Sequence, residues 1–325
     1  MTDRENYLVA ARGGRPQRVP IFPDDCNVFS LKFWKRHEPE TGMDCFNIKW
    51  VRDAFGTMPD PKWRAMDDIS KWRETAHPPK LSELDWEGMA KEWHETKDPN
   101  KVDIAMLNTM GIFLIPVNMM GWETALCSVL EEPEEMEAFV GFLTDYLLEI
   151  LDYYDKYIHP DIVFTGDDFA GGGGPFFAIH VFREMFAPYL KKICDRIHRM
   201  NALAEFHCCG NCQYLIRETL EMGYDIFQLA EPNAQLERDK KEFGNKLVMT
   251  GGWDRRGPGN VENAPEAVVR ESVHTAIDTY GKDGGLIFWD GGIIGTGEDT
   301  ANKKKWIYDE VRKYGSVVYR KELQG

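Results

Sequence analysis

No stretch of this 325-residue chain stays apolar over the roughly 18 residues needed to cross a bilayer. The longest candidate, MGIFLIPVNMMGW, is broken by Pro116 and Asn118. The opening segment MTDRENYLVAARGGRPQR is polar and lacks an apolar core before a cleavage site, so no secretory leader is expected. Positive charge is also scarce. With 39 Lys and Arg against 54 Asp and Glu, the formal net charge is -15 and the pI about 5.1. Such a surface repels phosphate backbones, which excludes general nucleic-acid binding. Seven cysteines, an odd number spread over a large chain, fit reduced thiols better than a disulfide framework. A soluble, cytoplasmic protein is the expectation. Nucleotide signatures are missing as well. No Gly-x-Gly-x-x-Gly turn follows a candidate strand, and GGGG at 171–174 has no Lys-Ser/Thr behind it.

What is present is a large apolar content, 43% hydrophobic and 12% aromatic, enough for a sizeable core. From about residue 130 onward, short β-rich runs alternate with longer amphipathic ones. The candidate strands are DIVFTGDDF, ALAEFHCC, DIFQLAE, KLVMTGGWD and GGLIFWDGG, with VPIFPDD and IFLIPVN earlier in the chain. Helices fit between them. In the one that starts at Pro133, Met136, Phe139, Leu143, Leu147, Ile150 and Tyr154 recur at helical spacing and predict a core-facing stripe. Strand and helix in alternation imply parallel strands with crossover helices. Polar residues and glycines gather at the C-terminal ends of the candidate strands, where a (β/α)8 barrel keeps its active site. The predicted fold is therefore α/β, a single TIM barrel over residues 1–325. Residues 25–105 supply an extended N-terminal region near its mouth.

The densest chemistry lies in AEFHCCGNC. Alternation along a strand puts Glu205, His207 and Cys209 on one face and Phe206 and Cys208 on the other. Imidazole and thiolate are preferred zinc ligands, and three protein ligands with an open fourth position describe a catalytic site. The same trio can also serve as an acid without a metal. Cys209 and Cys212 form a Cys-x-x-Cys, but without the sequence context of a redox pair. Asp167 and Asp168 close another strand and point to opposite faces. One is expected to enter the barrel and the other to cap a helix or loop. Trp253 and Asp254 end a further strand, beside Arg255 and Arg256, which suit either an anion or solvent. Asp290 ends the last. Aromatic and methionine residues crowd the N-terminal third, including Trp63, Met110, Phe113, Met120 and Trp122. Most are expected in the core, with some lining an apolar pocket at the mouth.

In order along nearly the whole chain, ARGGRPQRVPIF, GWETALCSVLEEPEEM, DIVFTGDDFAG, FREMFAPYLKKI, FHCCGN, LIRETLEMGYDIFQL, LVMTGGWD and GGLIFWDGGI resemble the uroporphyrinogen decarboxylase superfamily. That superfamily also contains corrinoid-dependent methyltransferases, and its fold is a (β/α)8 barrel. The true decarboxylase grips its substrate carboxylates with an arginine-rich N-terminal segment. Here the corresponding PIFPDDCNVF offers Asp24 and Asp25, so the resemblance is to the methyltransferase branch. His207 and Cys209 match the His-x-Cys of the zinc-dependent, thiol-methylating members. Their third ligand is a cysteine after the last strand; this chain has Gly291 and Gly292 there, leaving Glu205 or Asp290 to complete a site. The resemblance implies removal of a methyl group from a methyl ether and its delivery to a corrinoid carried on a partner protein. Glu205, His207, Asp167, Asp168 and Asp254 are the catalytic candidates. Trp122, Met120, Phe169, Trp253 and Asp290 are the substrate-binding ones, and zinc is the candidate metal, held by His207, Cys209 and Glu205. A porphyrinogen-like decarboxylase and a non-catalytic tetrapyrrole-binding barrel are the alternatives.

Overall fold

Short apolar runs bounded by glycine and acidic residues form parallel strands in the computed structural model. It describes residues 1–34, 42–53, 56–107, 111–293, 295 and 297–319. Met110, a candidate pocket residue, lies outside them. The chain divides into two compact units. One comprises Met1–Asn27, Lys97–Asp103 and Gln213–Gly325; the other comprises Val28–Thr96 and Ile104–Cys212.

In the unit that contains Ile104–Cys212, Ile104 of the strand Val102–Met106 pairs with Ile162 of the strand Ile162–Gly166. That strand pairs in turn with Leu203–His207, Phe164 opposite Glu205 and Gly166 opposite His207. Parallel neighbours need crossovers. The helices Leu114–Met120, Trp122–Glu131 and Pro133–Tyr153 make the first, and Ala187–Arg199 the second. Pro133 opens its helix where no intrahelical N–H is needed, and Glu134 and Glu135 favour the positive end of the helix dipole. Met136, Phe139, Leu143, Leu147, Ile150 and Tyr154 are all buried, as their spacing predicts. Each contributes about 1.5–3 kcal/mol of hydrophobic stabilisation. The same unit carries an antiparallel sheet of Gly42–Met43, Lys49–Asp53 and Gly56–Pro59.

In the other unit the strands Ile226–Ala230, Val248–Gly252 and Leu286–Trp289 run parallel, joined by the helices Ala234–Phe243 and Glu266–Tyr280. The helix Glu298–Tyr314 follows. Five of the candidate strands are thus strands, each a few residues shorter than its apolar run.

Two are not. VPIFPDD forms only an isolated bridge, Ile21 to Phe288, and the strand begins afterwards, at Cys26–Ser30. IFLIPVN is helical from Leu114. Pro116 lies in the first turn, where its missing N–H costs nothing, and Asp167 accepts the N–H groups of Phe113 and Leu114. The strands Cys26–Ser30 and Val102–Met106 lie in or at the edge of the stretch 25–105, expected to be an N-terminal extension. Among the described residues, no helix is long and apolar enough to cross a membrane.

Candidate metal centre

The register of Ile162–Gly166 against Leu203–His207 sets Gly166 opposite His207. The residues just past both C-terminal ends therefore meet. The His207 carbonyl accepts the N–H of Asp167 (3.0 Å), and Asp168 Oδ1 accepts the N–H of Cys209 (2.6 Å). His207 Nε2 lies 3.2 Å from Cys209 Sγ, and the imidazole tilts against the ring of Phe164. One potential ligand atom from each of Asp168, His207 and Cys209 falls within 4.8 Å of the other two, and all three residues are partly exposed. Oxygen, nitrogen and sulfur donors at such spacing fit a zinc ion. The carboxylate in this group is that of Asp168. Glu205, expected there from strand alternation, is fully buried two residues earlier on the same strand.

Adjacent aspartates have separate tasks. While Asp168 joins the ligand group, Asp167 turns inward and is buried. Its Oδ2 accepts the N–H of Phe113 (2.9 Å) and its Oδ1 that of Leu114 (3.0 Å), so a distant side chain caps the helix Leu114–Met120. Gly111 is required beside it, because any Cβ there would overlap the Asp167 carboxylate. Burial pushes the Asp167 carboxyl up to about 8 and outweighs the opposite pull of the two amides. The helix held in this way leads to Met120 and Trp122.

The other two cysteines of the cluster are structural. Cys208 and Cys212 are fully buried. Cys208 Sγ accepts the N–H of Phe169, and Cys212 Sγ donates to the Cys208 carbonyl. Burial, reinforced by Cys212, pushes the Cys208 thiol up, which keeps it protonated and unreactive. Between them Gly210 adopts φ +79°, and a Cβ there would come within 2.7 Å of the Ala170 carbonyl oxygen. GGGG at 171–174 thus has a structural use. With Ala170 and Pro175 it makes a small hairpin against which this loop lies, the Asn211 N–H donating to the Gly171 carbonyl.

The remaining candidates divide by exposure. Trp122 is 45% exposed and packs on Phe176 with ring centroids 4.7 Å apart. Met120 is buried, and Phe169 is enclosed by Phe113, Phe177, Phe182 and Phe186. In the other unit, Trp253 is buried and donates its indole N–H to Ser272 Oγ. Asp254 is exposed and accepts the N–H of Arg256, a tight turn. Asp290 is buried and accepts the N–H of Gly292. Arg255 and Arg256 both pair with the buried Glu231, so neither stands simply in solvent. Asp25 is likewise engaged. Arg18 grips both its oxygens and the Ile21 N–H adds a third bond.

The model of the family described as uroporphyrinogen decarboxylase (URO-D) matches residues 56–314. Among curated proteins, none matches the chain. Among solved structures, a methyltransferase from Methanosarcina mazei has a TM-score of 0.68 at 11% identity, over 97% of this chain and 99% of that one. Similarity at that level of identity is similarity of fold.

Proposed function

Because the chain belongs to the uroporphyrinogen decarboxylase family, with its α/β TIM-barrel fold, we propose that it is a corrinoid-dependent methyltransferase. In this reading residues 1–325 form one barrel domain. The enzyme takes a methyl group from a methyl ether, and the acceptor is the corrinoid of a cognate partner protein. The observation that carries the reading is the Asp168, His207 and Cys209 group at the C-terminal ends of two neighbouring parallel strands. Active sites of such barrels lie at that end.

An alkoxide or phenolate is a poor leaving group, so the ether oxygen needs a proton or a Lewis acid as its bond to the methyl breaks. Asp168, His207 and Cys209 would hold zinc, which supplies the Lewis acid when bound. The chain's own groups do the rest. In a metal-free site, a protonated His207 donates to the departing oxygen. Asp168 orients Cys209 through its backbone N–H. Asp167 fixes the start of the helix that carries Met120. The exposed Trp122, backed by Phe176, offers a flat apolar surface suited to an aryl ring. Glu205 and Asp254 stay as catalytic candidates, and Phe169, Trp253 and Asp290 as substrate-binding ones.

Decarboxylation of a polycarboxylate is the weaker reading. The arginines that meet the acidic N-terminal segment are already committed there, Arg18 to Asp25 and Arg312 to Asp24. The test combines the purified protein with cob(I)alamin and a panel of methoxylated aromatics, following the absorbance change on cobalt methylation. The expected result is turnover with at least one donor, and loss of it in the His207→Ala variant. No change across the panel, with the cognate corrinoid protein also supplied, would refute the proposal. Release of carbon dioxide without cobalamin would support the decarboxylase instead.

A further inference from the structure

A cavity of about 430 Å³ lies in the unit that contains Gln213–Gly325, between the helices Ala234–Phe243 and Glu266–Tyr280. Of the residues given a part in the reaction proposed above, only Asp254 lines it. Its floor is apolar, formed by the buried Ala276 and Tyr280 and the half-buried Val268. The volume falls within the range of small-molecule sites. Glu237, Asp254 and Glu271 line the same space, and no Lys or Arg side chain does. All three carboxylates are exposed, so they form a rim above the floor. His274 approaches Glu271 at 3.7 Å, and Arg256 turns its guanidinium to Glu231, leaving only its backbone N–H to Asp254. The charged side chains that line the space are all carboxylates. Burial and then the charges of Glu237 and Asp254 push the Tyr280 phenol up.

From this geometry we infer that the cavity is a binding site for a small organic ammonium ion whose apolar body fills the floor while its charge meets the carboxylate rim. An anion of the same shape is repelled. A neutral isostere keeps the apolar contact and loses the charge. The rim carboxylates are exposed, where a single ion pair is weak, so the expected preference over the neutral analogue is about two- to fivefold.

Three probes of one shape test this: 2-phenylethylammonium, 2-phenylethanol and phenylacetate, titrated into the whole protein by calorimetry. The expected order is ammonium, then alcohol, then carboxylate. Glu237→Gln and Glu271→Gln, both at exposed positions, should each weaken the ammonium by up to about fivefold and leave the alcohol unchanged. Thr275→Trp fills the cavity from its exposed side and should abolish binding of both. Equal affinity for the three probes would overturn the inference, as would ammonium binding that survives Thr275→Trp or is indifferent to both glutamine variants. Absence of ammonium binding at millimolar concentration would also overturn it. A failure of the methyl-transfer assay would leave the inference standing, because neither the probes nor the variants touch Asp168, His207 or Cys209.

Discussion

Replacing Asp167 by Asn tests whether burial or hydrogen bonding governs this carboxyl. Its two oxygens accept the N–H groups of Phe113 and Leu114, an arrangement that by itself favours the ionised form. Full burial opposes that and prevails, raising the group from the ordinary 3.8 to about 8. Between those values the folded protein holds one proton more than the unfolded chain. Stability contributed by Asp167 is therefore complete below about pH 4 and drains away as pH rises to about 8. At about 1.4 kcal/mol for each pH unit, the full loss is on the order of 5 kcal/mol. Asn cannot titrate, and it keeps one acceptor oxygen, so its own cost of about 1–2 kcal/mol is independent of pH. Urea unfolding of both proteins, followed by tryptophan fluorescence between about pH 5 and about pH 9, isolates the difference. The wild type should lose ground steadily against Asp167→Asn across that range. A difference that is flat, or that grows in favour of the wild type as pH rises, would show that the helix amides hold the carboxylate ionised and would refute the reasoning.

Other outcomes follow from single contacts. Asp168→Ala should weaken zinc binding at least about tenfold in a competition titration with a chromophoric chelator, whereas Glu205→Gln should leave it nearly unchanged; the opposite pattern would make Glu205 the ligand. Gly210→Ala forces a side chain into a left-handed backbone against the Ala170 carbonyl. It should lower stability by about 1–3 kcal/mol and displace Cys209, read as loss of metal affinity along with a lower thermal midpoint. Phe169→Ala removes a fully buried ring from an aromatic cluster and should cost about 3–5 kcal/mol. If the loss is well under 1 kcal/mol, Phe169 is not a core residue. Trp122→Ala should leave the thermal midpoint almost unchanged, because the ring is 45% exposed, and should raise the KM for an aryl ether.

Local chemistry made most strands legible, because an apolar run bounded by glycine and acid has few other ways to satisfy its backbone and bury its side chains. It failed where the deciding partner was far away in sequence. Phe113 and Leu114 belong to a stretch of strand-like composition, and what makes it a helix is a cap supplied by Asp167, more than fifty residues later. The strand Val102–Met106 was obscured by Asp103, a charge that becomes tolerable only because Lys97 and Asn27 meet it. The helix Ala234–Phe243 buries Leu236 on an otherwise polar sequence, and its clearest local sign is the Asn233 cap on the Leu236 N–H.

The carboxylate of the candidate metal site differs from the one nominated by local pattern, and for a reason that applies to any site built across strands. Alternation carried through AEFHCCGNC sets Cys208 apart from His207 and Cys209, and that separation persists although the strand itself ends at His207. The same rule nominates Glu205, since it sees only residues on that strand. A metal, however, selects by distance across the sheet, and that distance depends on which strands are neighbours and in what register. With Gly166 opposite His207, a side chain two residues past Gly166 stands beside one two residues past His207. Those are Asp168 and Cys209, and the Cys209 N–H bond to Asp168 Oδ1 is the register expressed as a contact. The sequence supplied both halves of this pair, the adjacent aspartates and the His-x-Cys. It also offered the rule that one aspartate enters the site while the other caps. The missing step was the register of that parallel pairing, a tertiary fact that sets a carboxylate beside the His-x-Cys and makes a group of three potential donors.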